Sequence, residues 1–493
     1  MRSCPPSRRW CSSCAATASF TIASDALKLV PIELHLKSTG SAPPSLTASW
    51  TTNEDNRARP FPLRRFFIPW ADLSNKTTED VIPTTRPPEL EGGSWARGYH
   101  VFFGEQAGCS KCHTLYSRGE NIGPDLSNLI HRDYTSVLRD ITHPSFAINP
   151  DYLSYSVILT DGRTLSGVVH NAGDTIELGD TNGVKTRIPN ADVEEMTPSA
   201  VSTMPEGIAK QLGPDRLRDL MTFLVTPPPH MPRDLPQGRP KPRTLAEVRA
   251  VLDGTPNPAE KTRPIRIALV AGVKDHGLGE HDYPAWQLAW AELLAAAEHV
   301  EVSTAWEWPD KDAFQKADVM IFYQHGDWNA DRAADIDAFL KRGGGLVYIH
   351  WALDGRSREH GLEFANRIGL AAGGLIGFRH GETTLMFNRD TKHPIIRNFS
   401  TLALTDETYW HLVGPLPPKN VLATALEESE QRPQLWTMEH GQGRVFVSIP
   451  GHYSWTFDDP LFRVLLLRAI AWTAHEPVDR FNNLIWPGAE VAK

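Results

Sequence analysis

From residue 264 to about residue 476 the chain repeats one pattern, and that pattern limits its fold more than any other feature. "IRIALVAG", "VEVSTA", "VMIFYQ" and "GLVYIHWA" are short runs that are almost wholly apolar. Between them lie stretches such as "AWQLAWAELLAAAEH" and "RAADIDAFLKR", whose apolar residues recur at helical spacing. A strand that is apolar on both faces has to be covered on both, and a helix after each strand is what a parallel connection needs. The expectation for 264–476 is therefore an α/β unit built on a parallel sheet. The glycines of "KRGGGLVYIH" stand before a strand rather than after one, so no nucleotide cofactor is expected.

The full 493 residues exceed what one core organises, so further units are expected upstream. Residues 1–75 include "LKLVPIELHLKSTG" and read as a leader or truncated β-sandwich remnant. The first residues make a weak export signal, with a misplaced start as the alternative. Residues 76–94 read as a linker. Residues 95–226 read as a mainly helical domain with a four-stranded β meander inserted at 152–190, where "TDG" and "TNG" supply hairpin turns. A Pro-rich linker follows at 227–263, with a short helix near 244–253, and 477–493 is a C-terminal tail. A net charge of -9 gives no basic excess for nucleic acid, and no apolar run reaches membrane-spanning length.

Five cysteines, all at or before Cys112, exclude a disulfide framework for the bulk of the chain. The last two stand in "GCSKCHTLYSRGENIGPDLS", where Cys109, Cys112 and His113 form CxxCH. Two thiols one turn apart can add to two vinyl groups while the adjacent imidazole reaches the iron. A zinc ribbon would need a second ligand pair, which the remaining cysteines do not supply. A redox dithiol would follow a strand, whereas this motif follows the helical "WARGYHVFFGEQAG". The carbonyl of Pro124 is the expected acceptor for the His113 Nδ1 proton.

With "HPSFAINPDYLSYSV" and the closing "MPEG…LRDLMTFL", this region resembles the bacterial c-type cytochrome, or haem-binding, domain of multidomain planctomycete-type proteins. The resemblance implies covalent haem c on Cys109 and Cys112. It implies iron ligation by His113 and Met204, a pocket that includes Pro124 and Leu126, and a periplasmic or otherwise exported location. A redox partner protein or dehydrogenase is the implied partner.

In an open α/β sheet, ligands gather outside the carboxyl ends of the strands. There the sequence offers Asp275, His276, Glu280 and His281, then His325 and Asp327, then His350. Arg379, His380, Asp406, Glu407 and His452 follow. Imidazoles with carboxylates do general acid/base work or hold a divalent metal such as zinc, and the sequence leaves both open. Eleven of the fifteen tryptophans lie beyond residue 264, a composition that also suits sugar rings.

"RIALVAG", "DIDAFLKRGGGLVYIHWA", "HPIIRNF", "TDETYW" and "HGQGRVFVSIPGH" resemble the ThuA-like (trehalose-utilisation) family, which implies a class I glutamine amidotransferase-like, flavodoxin-like fold and a carbohydrate ligand. Where amidotransferases place a nucleophilic Cys, this chain has His350, and no Cys follows Cys112, so thiol-based glutamine hydrolysis is excluded. The combined expectation is a haem electron-transfer protein coupled to a carbohydrate-binding or carbohydrate-processing domain. Two alternatives stand beside it: a cofactor-independent sugar hydrolase, lyase or isomerase with a structural or sensory haem, and a non-catalytic glycan-binding scaffold.

Overall fold

The computed structural model describes residues 49–51, 59–60, 86–116, 118–232, 238–255, 262–415 and 420–492. Two compact units separate at residue 69. In the first, β1 (Ser49–Trp50) pairs antiparallel with β2 (Arg59–Pro60). The rest of the leader or sandwich remnant at 1–75, with Cys4, Cys11 and Cys14, lies outside the described residues, as does most of the 76–94 linker.

The second unit opens with α1 (Trp95–Phe103), whose Ser94 cap accepts from the Arg97 amide, and α2 (Tyr134–Thr142), capped by Asp133. An antiparallel sheet follows: β3 (Ser154–Leu159), β4 (Thr164–Asn171), β5 (Thr175–Gly179), β6 (Lys185–Pro189) and β7 (Val193–Pro198). Its strand order is β6-β5-β4-β3-β7. The segment closes with α3 (Ile208–Val225), broken at Gly213 ahead of Pro214. At Gly98 a Cβ would stand 2.0 Å from the Asp219 carbonyl, so α1 and α3 meet backbone to backbone.

The expected four-stranded meander therefore has a fifth strand, and the segment is not mainly helical: three helices share it with a five-stranded sheet. The fifth strand was hidden because "VEEMTP" is an edge strand with no buried residue and no apolar alternation.

Within 227–263, Met231 is buried with its amide on Asp458. β8 (Arg243–Thr244) leads into α4 (Leu245–Leu252), which starts with a Thr244/Glu247 capping box.

The α/β unit then runs β9 (Ile265–Ala271), α5 (Tyr283–Ala295), β10 (Val300–Trp306), α6 (Lys311–Lys316), β11 (Val319–Tyr323), α7 (Ala330–Lys341), β12 (Gly345–Ile349) and α8 (Arg358–Ile368). Four long strands follow: β13 (Gly377–Phe387), β14 (Thr401–Trp410), β15 (Asn420–Glu427) and β16 (Glu430–His440). β17 (Gly443–Ser448) and α9 (Pro460–Thr473) complete the unit, and β18 (Val491–Ala492) pairs with β8.

All nine strands from β9 to β17 form one sheet, in the order β10-β9-β11-β12-β17-β16-β15-β13-β14. The first five are mutually parallel and the rest antiparallel, so the sheet is mixed where a parallel one was expected. The β15–β16 hairpin turns through Glu428 and Ser429, both left-handed at φ 51° and 65°. Without Gly or Asn at these positions, the turn carries no sequence signal. Among the described residues, no helix is long and apolar enough to cross a membrane.

Candidate metal centre

The carboxyl ends of four parallel strands deliver one group each. After β9 the loop brings Asp275, His276, Glu280 and His281; after β11 come Gln324 and His325; His350 follows β12 directly, and His452 lies four residues beyond β17. His281 and His350 both hold left-handed backbones, at φ 42° and 56°. Such conformations cost about 1–3 kcal/mol each and persist only where the surroundings enforce them.

A fifth group arrives from the opposite end of the sheet. β14 returns over the parallel strands because buried Asp406 accepts the amides of Gly451 (3.1 Å) and His452 (3.0 Å) and the hydroxyl of Thr456. Buried Gln434 bonds both the amide and the carbonyl of Tyr409, at 3.3 and 2.8 Å. Glu407 is thereby carried over the strand ends.

At the centre, His281 Nε2 lies 2.9 Å from His350 Nε2 and 3.0 Å from His452 Nδ1. His350 Nε2 and His452 Nδ1 are 3.3 Å apart, and Glu407 Oε2 stands 3.2 and 3.0 Å from them. All four residues are buried. The outer nitrogens fix two tautomers: His281 Nδ1 donates to Asp275 (2.8 Å) and His350 Nδ1 to the Ile449 carbonyl (2.7 Å). Both Nε2 atoms then face each other at 2.9 Å with their lone pairs inward, an arrangement suited to a cation between them. Burial pushes the His281 imidazole down to about 3, against a smaller opposing pull from Asp275. The separations approach the roughly 3.3 Å edge of a tetrahedron with metal–nitrogen bonds of about 2.0–2.1 Å.

Asp275 is shared by three imidazoles, accepting also from His276 (2.9 Å) and His325 (2.8 Å). Burial opposes its ionisation, but these hydrogen bonds outweigh burial and hold it well below the usual carboxylate range. His325, between Asp275 and Asp354, is raised to about 9. Glu407 is likewise held low, by His350 and His452 against the cost of burial. At the exposed edge, His380 Nε2 stands 3.4 Å from Glu407 Oε1, and Glu280 is 3.8 Å from His452 Nε2, a buried nitrogen with no hydrogen-bond partner.

Of the residues expected here, His281, His350, Glu407 and His452 form the centre, and His276, Glu280, His325 and His380 border it. Arg379 is not brought in. It pairs with Glu427 at 2.6 Å, because neighbours on a strand face opposite ways and His380 takes the inward side. Tyr409 and Asp354 were not anticipated. Both read as ordinary core or loop residues until their polar atoms are placed.

In the CxxCH segment, His113 Nδ1 lies 2.9 Å from the Pro124 carbonyl, and a Cβ on Gly123 would stand 2.6 Å from His113 Cε1. Cys109, Leu126 and Met204 are half-buried against one apolar cluster. Burial pushes the Cys109 thiol up to about 11 and raises Cys112 too, so neither is an activated thiolate.

The family model described as "ThuA: Trehalose utilisation" matches residues 269–473 and does not extend to 95–226. No curated protein matches the chain significantly. Among solved structures, a ThuA-like protein from Parabacteroides merdae shares 21% identity over 43% of this chain and 90% of its own, with a TM-score of 0.34. Another, from Bacteroides uniformis, shares 16% over 44% and 95%, with a TM-score of 0.35. A β-galactosidase from Bacillus circulans shares 13% over 42% of this chain and 31% of its own, at 0.31.

Proposed function

Taking residues 269–473 as a ThuA-like domain, we propose that it holds one divalent first-row cation, zinc by its donor set, and processes a carbohydrate. The observation that carries this reading is the pair of lone pairs facing each other at 2.9 Å between His281 and His350, closed by His452 and Glu407. Three imidazoles and a carboxylate suit zinc and its neighbours and do not suit calcium or magnesium. The family description, trehalose utilisation, supplies the substrate class.

A bound cation of this kind polarises a carbonyl or hydroxyl oxygen and makes bound water more acidic. The chain's own part is to orient its donors through Asp275 and the Ile449 carbonyl, and to bring titratable groups to the exposed edge. His380, 42% exposed, and Glu280, 29% exposed, are the groups placed to give or take a proton from a ligand. The partly exposed His380 and Glu280 beside the buried set match the hydrolase, lyase or isomerase class better than a passive glycan scaffold. The test is turnover of keto- and unmodified disaccharides by metal-loaded, chelated and zinc-restored protein. Activity lost and regained with the metal supports the reading, and activity indifferent to chelation overturns it.

A second reading attaches to residues 109–126. Covalent haem c would use Cys109 and Cys112 for attachment and His113 and Met204 for the iron. The residues fit that group in two respects: Pro124 leaves His113 Nε2 as the free nitrogen, and Gly123 leaves room beside the ring. Such a haem would supply one-electron chemistry, and with it come a redox partner or dehydrogenase and export to the periplasm. A visible spectrum of protein matured with haem-attachment machinery decides: α and β bands lost in Cys112→Ala support it, and a colourless full-length protein overturns it.

A further inference from the structure

We infer that the phenol oxygen of Tyr409 is a fifth donor to the cation of the α/β unit. The inference rests on the metal reading above and adds a ligand to it. Tyr409 stands two residues after Glu407 on β14, so both side chains emerge on the same face of the strand. Its hydroxyl lies 2.8 Å from His350 Nε2 and 3.1 Å from Glu407 Oε2, the same spacing that separates the four other donors from one another. The oxygen thus lies within hydrogen-bonding distance of two of the four donor atoms.

Two features hold it there. The Tyr409 ring stacks on the His350 imidazole, with centroids 4.9 Å apart and planes 28° apart, and the side chain is only 3% exposed. Gln434 bonds its backbone amide and carbonyl, which fixes the strand where the ring emerges.

In the structure the hydroxyl meets His350 Nε2 and Glu407 Oε2. A cation at the centre takes the lone pair of that nitrogen and engages that oxygen. The hydroxyl oxygen, beside both of those donor atoms, is then placed to take up the ion as well. Coordination releases the phenol proton to solvent, and the bond formed is metal–oxygen. The set becomes three nitrogens, one carboxylate and one phenolate. Donors of this kind suit iron and copper as well as zinc, and this makes the oxygen directly visible.

The experiment loads the full chain with ferric iron, measures iron per chain, and records the visible spectrum. Phenolate bound to ferric iron gives a strong charge-transfer band that imidazole and carboxylate do not give. The expected result is one iron per chain with the band in wild type, and iron retained without the band in Tyr409→Phe. In Tyr283→Phe, whose hydroxyl meets the outer His281 Nδ1 at 2.9 Å, the band persists. Thermal denaturation of each variant confirms that it is folded. One iron per chain without the band in wild type, or a band surviving in Tyr409→Phe, overturns the fifth donor and leaves the four-donor site standing. Failure of the wild type to bind iron, zinc or copper stoichiometrically overturns both.

Discussion

Removing the Asp275 carboxylate should weaken the proposed metal centre without touching a donor atom. Asp275 Oδ1 accepts from His281 Nδ1 at 2.8 Å, and this bond points the His281 Nε2 lone pair inward. Loss of an outer partner of this kind costs about 10–100-fold in metal affinity, or about 1.4–2.7 kcal/mol. The two obvious variants divide that range. Asp275→Asn keeps one oxygen for His281 but loses the charge and the bond to His325, which places it near tenfold. Asp275→Ala releases all three imidazoles, so His281 can take either tautomer, which places it near a hundredfold. Competition against a chromophoric zinc chelator reads both affinities, and denaturation of the apoproteins separates metal affinity from folding. An Asp275→Ala protein that is less stable yet binds zinc within threefold of wild type would show that Asp275 only packs the loop, and would refute the tautomer argument.

Three other perturbations have defined outcomes. Asp406→Ala leaves the Glu407, Gly451 and His452 amides without their acceptor. It should cost about 3 kcal/mol in urea denaturation, since buried hydrogen bonds to a charge are worth about 1.5–3 kcal/mol and unmet donors add to the loss. Gly123→Ala presses a methyl against the His113 ring, and overpacking of this kind costs about 1–3 kcal/mol, read as a lower Tm. His325 has a folded-state pKa near 9, above its ordinary 6.5. Its stabilising contribution is therefore complete below about pH 6.5 and lost as pH rises through 9. The stability gap between wild type and His325→Gln should be widest at pH 6 and close by pH 10, and a gap that is flat with pH would contradict the charged pairing with Asp275 and Asp354.

The sequence makes all four residues of the centre legible as candidates, but not by one signal. His281, His350 and His452 each follow an apolar parallel strand, where topology alone collects them, and the bordering His276 and His325 share that signal. Glu407 and Tyr409 do not. They sit inside an edge strand that returns to the strand ends only because Asp406 and Gln434, both buried, tie it there, and such long-range ties leave no local pattern. Arg379 and His380 show the same limit in miniature. They are adjacent in sequence, yet the pleat sends one to Glu427 and the other to Glu407. The mixed sheet was missed for a turn closed by Glu428 and Ser429, and the fifth meander strand for its lack of a buried face.

The central claim is that three imidazoles and a carboxylate at the strand ends enclose one cation. X-ray absorption at the zinc edge, on full-length protein with metal content determined, tests it most directly. The account predicts one zinc per chain with a first shell of nitrogen and oxygen at about 2.0–2.1 Å and the outer-ring scattering of about three imidazoles. Protein that stays substoichiometric after zinc loading, or a shell without imidazole scattering, would contradict it.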